Sequence, residues 1–232
     1  MVERIERSNT NSVKYNPKAI ENLCGNPNAE PFWVADMDLA SPNAAKEALV
    51  ATAQLGLYGY PAFDGLDQAF IDWVRMRHSC TLSKTDVVVS PGILASIAVM
   101  TELLPARDVI IPRPAYKPFV DIARNHGRRI HDWPLAYDRE EGRFDLDFAA
   151  LEEIASRPGS KILYFCSPHN PSGRVWNRAE LEKTAEICKK YDIVVFSDEI
   201  HCDLTFPSQH HTPFFEVARE MDLECIVFMA PS

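Results

Sequence analysis

Residues 161–197, KILYFCSPHNPSGRVWNRAELEKTAEICKKYDIVVFS, decide the fold of this protein. Two short apolar runs, KILYFC at 161–166 and IVVFS at 193–197, flank a charged helical pattern at 178–190. A short run that is apolar throughout is typical of a strand buried on both faces of a parallel sheet. The stretch therefore predicts a strand, a helix and a second strand, which is the repeating unit of an α/β domain.

The same alternation continues over most of the chain. Further strands are predicted at 86–90 (DVVVS), 108–112 (DVIIP) and 224–229 (ECIVFM), and further helices at 66–77, 92–104, 116–126 and 146–155. Because helices separate nearly all of the strands, we predict an α/β fold with a mostly parallel sheet and helices on both faces.

The N-terminal segment has a different character. Its prolines at positions 17, 27, 31 and 42 predict about 40 irregular residues, followed by a helix from Pro42 to Leu55 with Ser41 as its N-cap. We predict an N-terminal arm or part of a small domain at 1–45 and a large domain at 46–232.

Composition excludes several classes of protein. The 232 residues carry a net charge of −9, which argues against a nucleic-acid partner. No run of 18 apolar residues is present, so no membrane span is predicted. The six cysteines show no CxxC spacing, which favours a reducing, cytoplasmic setting without disulfide bonds.

Four of the predicted strands are followed by polar or glycine-containing motifs. Open α/β sheets bind ligands at the carboxyl ends of their strands, so these motifs mark the candidate site. They are SPGIL at 90–94, RPAY at 113–116, SPHNPSG at 167–173 and SDEIH at 197–201.

Taken singly, the first two motifs leave alternatives open. Gly92 allows a tight turn, and the helix after it offers free N–H groups to a phosphate, but an ordinary strand–turn–helix junction has the same pattern. Tyr116 could stack on a flat ligand or could be a core residue at the start of a helix.

The last two motifs are harder to explain by turn chemistry alone. Prolines and a glycine fix a rigid loop that presents the Asn170 amide after a wholly apolar strand. Asp198 ends a buried strand, where a carboxylate needs a cationic partner. Asp198, His201 and Asp203 could instead bind a metal, but further ligands are not evident, and no metal site is predicted.

In order along the chain, these motifs resemble those of fold-type I enzymes that use pyridoxal 5′-phosphate (PLP), within the aminotransferase class I/II superfamily. The resemblance runs from about Trp33 to Ser232, and NPSG and SDEIH are its most specific parts. WVADMD at 33–38, YGY at 58–60, SPHN at 167–170 and DEIH at 198–201 are similar to the MalY/PatB branch, which is cystathionine β-lyase-like.

The resemblance implies how the cofactor ring is held. Asp198 is implied to pair with the pyridine nitrogen, Asn170 to donate to the 3-hydroxyl oxygen, and Tyr116 to stack on the ring. His201 is also implied to lie at the cofactor. It stands where most aminotransferases have a tyrosine, and this difference favours the lyase branch.

The resemblance also implies how the phosphate and the substrate are held. The backbone N–H groups of Gly92, Ile93 and Leu94 are implied to bind the phosphate.

Tyr60, rather than Tyr58, is implied to reach the phosphate of a neighbouring subunit. Ala35 and Asp36 are implied to lie near the substrate.

Two features depart from the family pattern. The family's Schiff-base lysine is expected directly after Ser232, so we predict no catalytic residue within these 232 positions and expect the large domain to be incomplete, without the C-terminal small domain. Ala230 stands where many relatives have a phosphate-binding serine.

The function implied by the resemblance is that of a homodimeric, PLP-dependent carbon–sulfur β-lyase. Its substrate would be a small sulfur-containing amino acid, and its products a thiol, pyruvate and ammonia. An aminotransferase is the first alternative, and a non-catalytic PLP-fold sensor module is the second.

Overall fold

The computed structural model describes residues 4–7, 10–60, 62 and 64–231. The chain divides into two compact units, residues 1–62 and residues 63–232. The domain boundary predicted after residue 45 stays a prediction, and it falls inside a helix of the first unit.

The first unit contains two helices, α1 (Pro17–Cys24) and α2 (Asn43–Leu55). The expectation of an irregular N-terminus is wrong for α1, because the Asn16 side chain accepts hydrogen bonds from the first-turn N–H groups and Pro17 opens the helix. The predicted N-cap of α2 is also wrong. Pro42 rather than Ser41 occupies the cap position, and no side chain caps this helix.

The second unit is built around a parallel sheet of five strands in the order β2-β1-β5-β6-β7. These strands are β1 (Asp108–Arg113), β2 (Arg129–Pro134), β5 (Lys161–Cys166), β6 (Ile193–Asp198) and β7 (Cys225–Phe228), and a separate antiparallel pair is formed by β3 (Ala136–Asp138) and β4 (Arg143–Asp145). The helices are α3 (Leu66–His78), α4 (Ile93–Leu103), α5 (Lys117–Asn125), α6 (Phe148–Ala155), α7 (Arg178–Lys190) and α8 (Phe214–Glu220).

Alternate side chains of the strands bury against opposite layers of helices. Val109 and Ile111 of β1 pack into a core with residues of α4 and α5. Ile110, between them, packs into a second core with residues of α6, α7 and α8. The predicted parallel α/β sheet with helices on both faces is therefore confirmed.

One predicted strand is wrong, and three observed strands, β2, β3 and β4, were not predicted. Residues 86–90 pair with no strand in the described part of the chain, and Val88 is 87% exposed. An apolar run forms a strand only where a neighbouring strand can satisfy its backbone hydrogen bonds, and these residues have no such neighbour among the described residues. β2 lies at an edge of the sheet, and its sequence, RIHDWP, is too polar to resemble a buried strand.

A buried carboxylate braces the carboxyl end of β6. The Glu199 side chain accepts hydrogen bonds from Ser197 Oγ at 2.8 Å and from the Phe214 N–H at 2.8 Å, and it lies 2.7 Å from Nε2 of buried His211. These contacts tie the turn after β6 to the start of α8. None of the helices in the described ranges is long and apolar enough to cross a lipid bilayer.

We expect Glu199→Gln to lower the free energy of unfolding by about 1–3 kcal/mol. The amide N–H2 group of glutamine would face hydrogen-bond donors, and it cannot accept the hydrogen bonds that the carboxylate accepts from them. Urea unfolding of the full-length protein measures the change. The control is Glu220→Gln, which removes a surface ion pair with Arg178. Loss of this ion pair should lower the free energy of unfolding by less than about 0.5 kcal/mol. Equal changes in the free energy of unfolding for the two variants would contradict a stabilising role for the buried Glu199 carboxylate.

Candidate functional site

The sheet order places a topological switch point between β1 and β5. The chain passes from β1 to β2 on one side and later returns to pair β5 with the other side of β1. In open parallel sheets a ligand crevice forms at the carboxyl ends of two such strands. The RPAY motif begins at the last residue of β1, and the SPHNPSG motif follows β5 directly. Their residues Tyr116 and Asn170 line one cleft.

Asp198 ends β6, beside Cys166 of β5 and Phe228 of β7. It is 4% exposed, and in the described part of the chain its carboxylate accepts one hydrogen bond, from the Ile200 N–H at 3.1 Å. Loss of solvent raises the pKa of Asp198 to about 6, and the nearby charge of Glu199 adds to this effect. A cationic ligand group would offset the cost of this buried charge.

The loop that carries Asn170 is held at both ends. His169 N–H donates to the Arg174 carbonyl and Gly173 N–H donates to the His169 carbonyl, both at 2.7 Å. Trp176 Nε1 donates to the Cys166 carbonyl at 2.9 Å, which fixes the loop to β5. Asn170 is therefore presented from a rigid support.

Burial determines the protonation state of His169 in the same loop. It lowers the pKa of His169 to about 4, so the imidazole is neutral near pH 7, with Nδ1 2.7 Å from Ser172 Oγ.

Tyr116 immediately precedes α5. Its ring meets Phe119 edge-on with centroids 5.7 Å apart, and Phe119 in turn meets Tyr164 at 5.8 Å. Tyr164 then stacks on Phe196 of β6 at 5.7 Å. This aromatic row supports Tyr116, whose own side chain remains partly exposed to the cleft.

Gly92 precedes the first residue of α4 with φ 147°, a conformation that favours glycine. No side chain caps this helix, and its first turn contains no acidic residue. The N–H groups of Ile93 and Leu94 therefore lie in an uncapped first helical turn, which suits an anion.

Two further polar groups lie in the same motifs. Burial lowers the pKa of His201, so its imidazole is neutral near pH 7. Ser167 Oγ is buried and has no hydrogen-bond partner among the described residues, and the Ser167 N–H donates to the Asp198 carbonyl. Ser167 was not among the predicted site residues, although its position directly after a buried strand was a usable signal.

Three predicted site residues belong to the first unit. Tyr60 is fully exposed, and Ala35 is exposed in an irregular segment. Asp36 is held by both terminal nitrogens of Arg7, at 2.7 and 2.6 Å, and this ion pair lowers the pKa of Asp36. Their roles toward a ligand stay predictions.

Asp198, His201 and Asp203, the alternative metal ligands considered from the sequence, do not lie together as a group that could hold a metal ion. Within the described ranges, the residues whose ligand atoms lie close enough for a metal ion are His78, Cys202 and Asp203. Asp198 and His201 are not among them.

The second-unit residues offer chemically complementary groups: Tyr116 and Asn170 line one cleft, and Asp198 lies on the strand next to β5. They provide free N–H groups for an anion, an aromatic ring, an amide donor and a buried carboxylate that has no cationic partner within the described ranges. A flat heteroaromatic molecule with a phosphate and a protonated ring nitrogen matches these groups.

Comparison with known proteins gives consistent results. The chain is 36% identical to cystathionine beta-lyase PatB of Bacillus subtilis over 99% of its own length and 59% of PatB. The PLP-bound C-S lyase of Staphylococcus hominis is 30% identical with a TM-score of 0.86, over 98% of this chain and 57% of that one. Cystalysin of Treponema denticola, which contains PLP, is 32% identical with a TM-score of 0.88, over 99% and 59%.

The chain thus spans less than two thirds of the length of these relatives. Its sequence matches the profile of the family described as aminotransferase class I and II over residues 34–229. Because this match covers most of the chain, the protein belongs to the aminotransferase class I and II family.

Proposed function

We propose that the full-length protein is a PLP-dependent carbon–sulfur β-lyase. Its substrate is a small sulfur-containing amino acid of the cystathionine or cysteine S-conjugate type, and its products are a thiol, pyruvate and ammonia. The observation that carries the proposal is the Asp198 carboxylate, which is 4% exposed at the end of β6 and has no cationic partner among the described residues. The similarity to cystathionine beta-lyase PatB and to the C-S lyase of Staphylococcus hominis supports the lyase chemistry.

The residues at the sheet edge fit PLP. Asp198 would hold the ring nitrogen protonated, Asn170 would donate to the 3-hydroxyl oxygen, and Tyr116 would stack on the ring. The chemistry supplied by the bound cofactor is an electron sink for the α-carbon of the substrate. Asp198 strengthens that sink because a nearby carboxylate keeps a proton on the ring nitrogen.

The remaining roles concern the phosphate and the surroundings of the ring. The N–H groups of Gly92, Ile93 and Leu94 would bind the phosphate. His201, kept neutral by burial, would lie beside the ring as an uncharged group. Ser167 Oγ, which lacks a partner among the described residues, is available to the ligand or to a bound water.

We further propose a homodimer in the cytoplasm. The full exposure of Tyr60 is consistent with a role toward the phosphate of a neighbouring subunit. All six cysteines are free thiols, which suits a reducing compartment.

An aminotransferase is the second candidate, because the matched family takes its name from that activity. The full-length protein incubated with cystathionine and no keto-acid acceptor distinguishes the two. The lyase releases pyruvate over many turnovers, measured with lactate dehydrogenase and NADH. Conversion of an added keto acid to its amino acid, without release of pyruvate, would support the aminotransferase instead, and absence of both reactions in PLP-loaded protein would support the sensor module.

Asp198→Asn should have opposite effects on the cofactor-free and the cofactor-loaded protein. In the cofactor-free folded protein, Asp198 is ionised above pH 6 and neutral below pH 4 because burial raises its pKa to about 6. The buried negative charge therefore lowers the free energy of unfolding above pH 6 and has no such effect below pH 4. The variant should therefore unfold with a free energy higher by about 3 kcal/mol above pH 6, and the difference should vanish by pH 4. The same variant should bind PLP more weakly.

The matched control is Asp132→Asn, whose carboxylate is largely exposed on β2. It should change neither the unfolding free energy nor PLP affinity, measured by urea unfolding and equilibrium dialysis. A stability gain for Asp198→Asn that persists unchanged at pH 4 would contradict the assigned cause.

Replacement of Tyr116 tests the aromatic platform. Tyr116→Ala should weaken PLP binding by about 1–3 kcal/mol, or roughly 5- to 150-fold in Kd, because a stacked ring is lost. Tyr116→Phe retains the ring and should bind PLP within about twofold of the wild type. Similar losses in both variants would assign the effect to the hydroxyl group and would refute stacking.

A further inference from the structure

A second group of polar side chains lies beside the proposed cofactor site and has no part in the proposed function. His78 ends α3, and Cys202 and Asp203 belong to the turn after β6. One ligand atom from each of these three residues lies within 4.8 Å of the others. His78 and Asp203 are 125 positions apart along the chain, so the fold rather than local sequence brings them together.

The two oxygens of the Asp203 carboxylate have different partners. Oδ1 lies 3.0 Å from His78 Nε2, while Oδ2 accepts a hydrogen bond from Trp73 Nε1 at 2.8 Å. Carboxylates that bind metals are commonly oriented in this way, by a donor on the oxygen that does not face the metal.

The surroundings leave one side of the group open. His78 and Cys202 are buried, whereas the Asp203 side chain is about one-third exposed. Arg77 lies near Asp203 at 3.4 Å, but its side chain is half exposed and can turn into solvent. A water molecule could therefore reach a metal held by the three side chains.

A second imidazole adjoins the group. The His211 ring meets the His78 ring edge-on, with centroids 5.2 Å apart. Its Nε2 faces Glu199, and its Nδ1 is buried with no hydrogen-bond partner within the described ranges. The immediate environment of His78 therefore contains an unsatisfied polar atom.

We propose that His78, Cys202 and Asp203 form a binding site for Zn²⁺, with water as the fourth ligand. Imidazole, thiolate and carboxylate are the protein ligands of zinc, and three of them with one water form an open tetrahedral site. The thiol and imidazole disfavour Mg²⁺ and Ca²⁺, which require oxygen ligands. When Cys202 binds, its thiol proton passes to solvent.

Zinc at this place would join two distant parts of the second unit. It would connect the end of α3 to the turn that starts at Asp198 and contains His201. Binding would therefore stabilise the support of the cofactor site without contacting the cofactor ring.

The test is zinc binding to the cofactor-loaded, full-length protein, measured by equilibrium dialysis with metal analysis and by X-ray absorption at the zinc edge. We expect one zinc per chain, with one sulfur at about 2.3 Å and nitrogen or oxygen ligands at about 2.0–2.2 Å. Cys202→Ser should remove the sulfur signal, whereas Cys24→Ser and Cys188→Ser should leave it unchanged.

Trp73→Phe provides an independent variant in case Cys202→Ser does not fold. It removes the donor that orients Asp203 and should weaken zinc binding about 10- to 100-fold. Circular dichroism confirms the fold of each variant. Zinc that fails to bind the folded wild type, a sulfur signal lost in Cys24→Ser, or wild-type affinity in Trp73→Phe would each overturn the proposal.

Discussion

The burial of the Asp198 carboxylate at the end of β6 is the constraint on which the candidate site depends. An ionised carboxylate in a nearly dry setting is unfavourable unless a cation or several donors compensate. Here the described residues provide one backbone donor, and burial raises the pKa of Asp198 to about 6. The protein thus keeps a destabilising group at the point where a ligand with a protonated nitrogen would remove the cost.

The rest of the second unit maintains that arrangement. The parallel register sets Asp198 beside Cys166, so the loop that carries Asn170 starts next to the carboxylate. Glu199 fixes the turn after β6 to the start of α8. The aromatic row from Tyr116 to Phe196 connects the cleft to the core of the sheet. Each contact is made by ordinary packing or hydrogen bonding, whereas the Asp198 carboxylate has no ion-pair partner among the described residues.

Much of the sheet, and the position of Tyr116 and Asn170 at one cleft, could be predicted from the sequence, because both depend on local patterns. Runs such as KILYFC predict buried strands, and the carboxyl ends of parallel strands must share one edge. Features that depend on distant partners could not be predicted. Residues 86–90 have a strand-like sequence but no neighbour among the described residues, and the ion pair of Arg7 with Asp36 joins positions 29 apart without a periodic signal.

The most direct test of the central claim is a carbon-13 NMR titration of the Asp198 carboxyl group in the full-length protein, with and without PLP. We predict a midpoint near pH 6 in the cofactor-free protein. With PLP bound, the paired positive charge should move the midpoint below the ordinary value of about 3.9. The same midpoint in both states would show that Asp198 does not pair with the cofactor and would contradict the account.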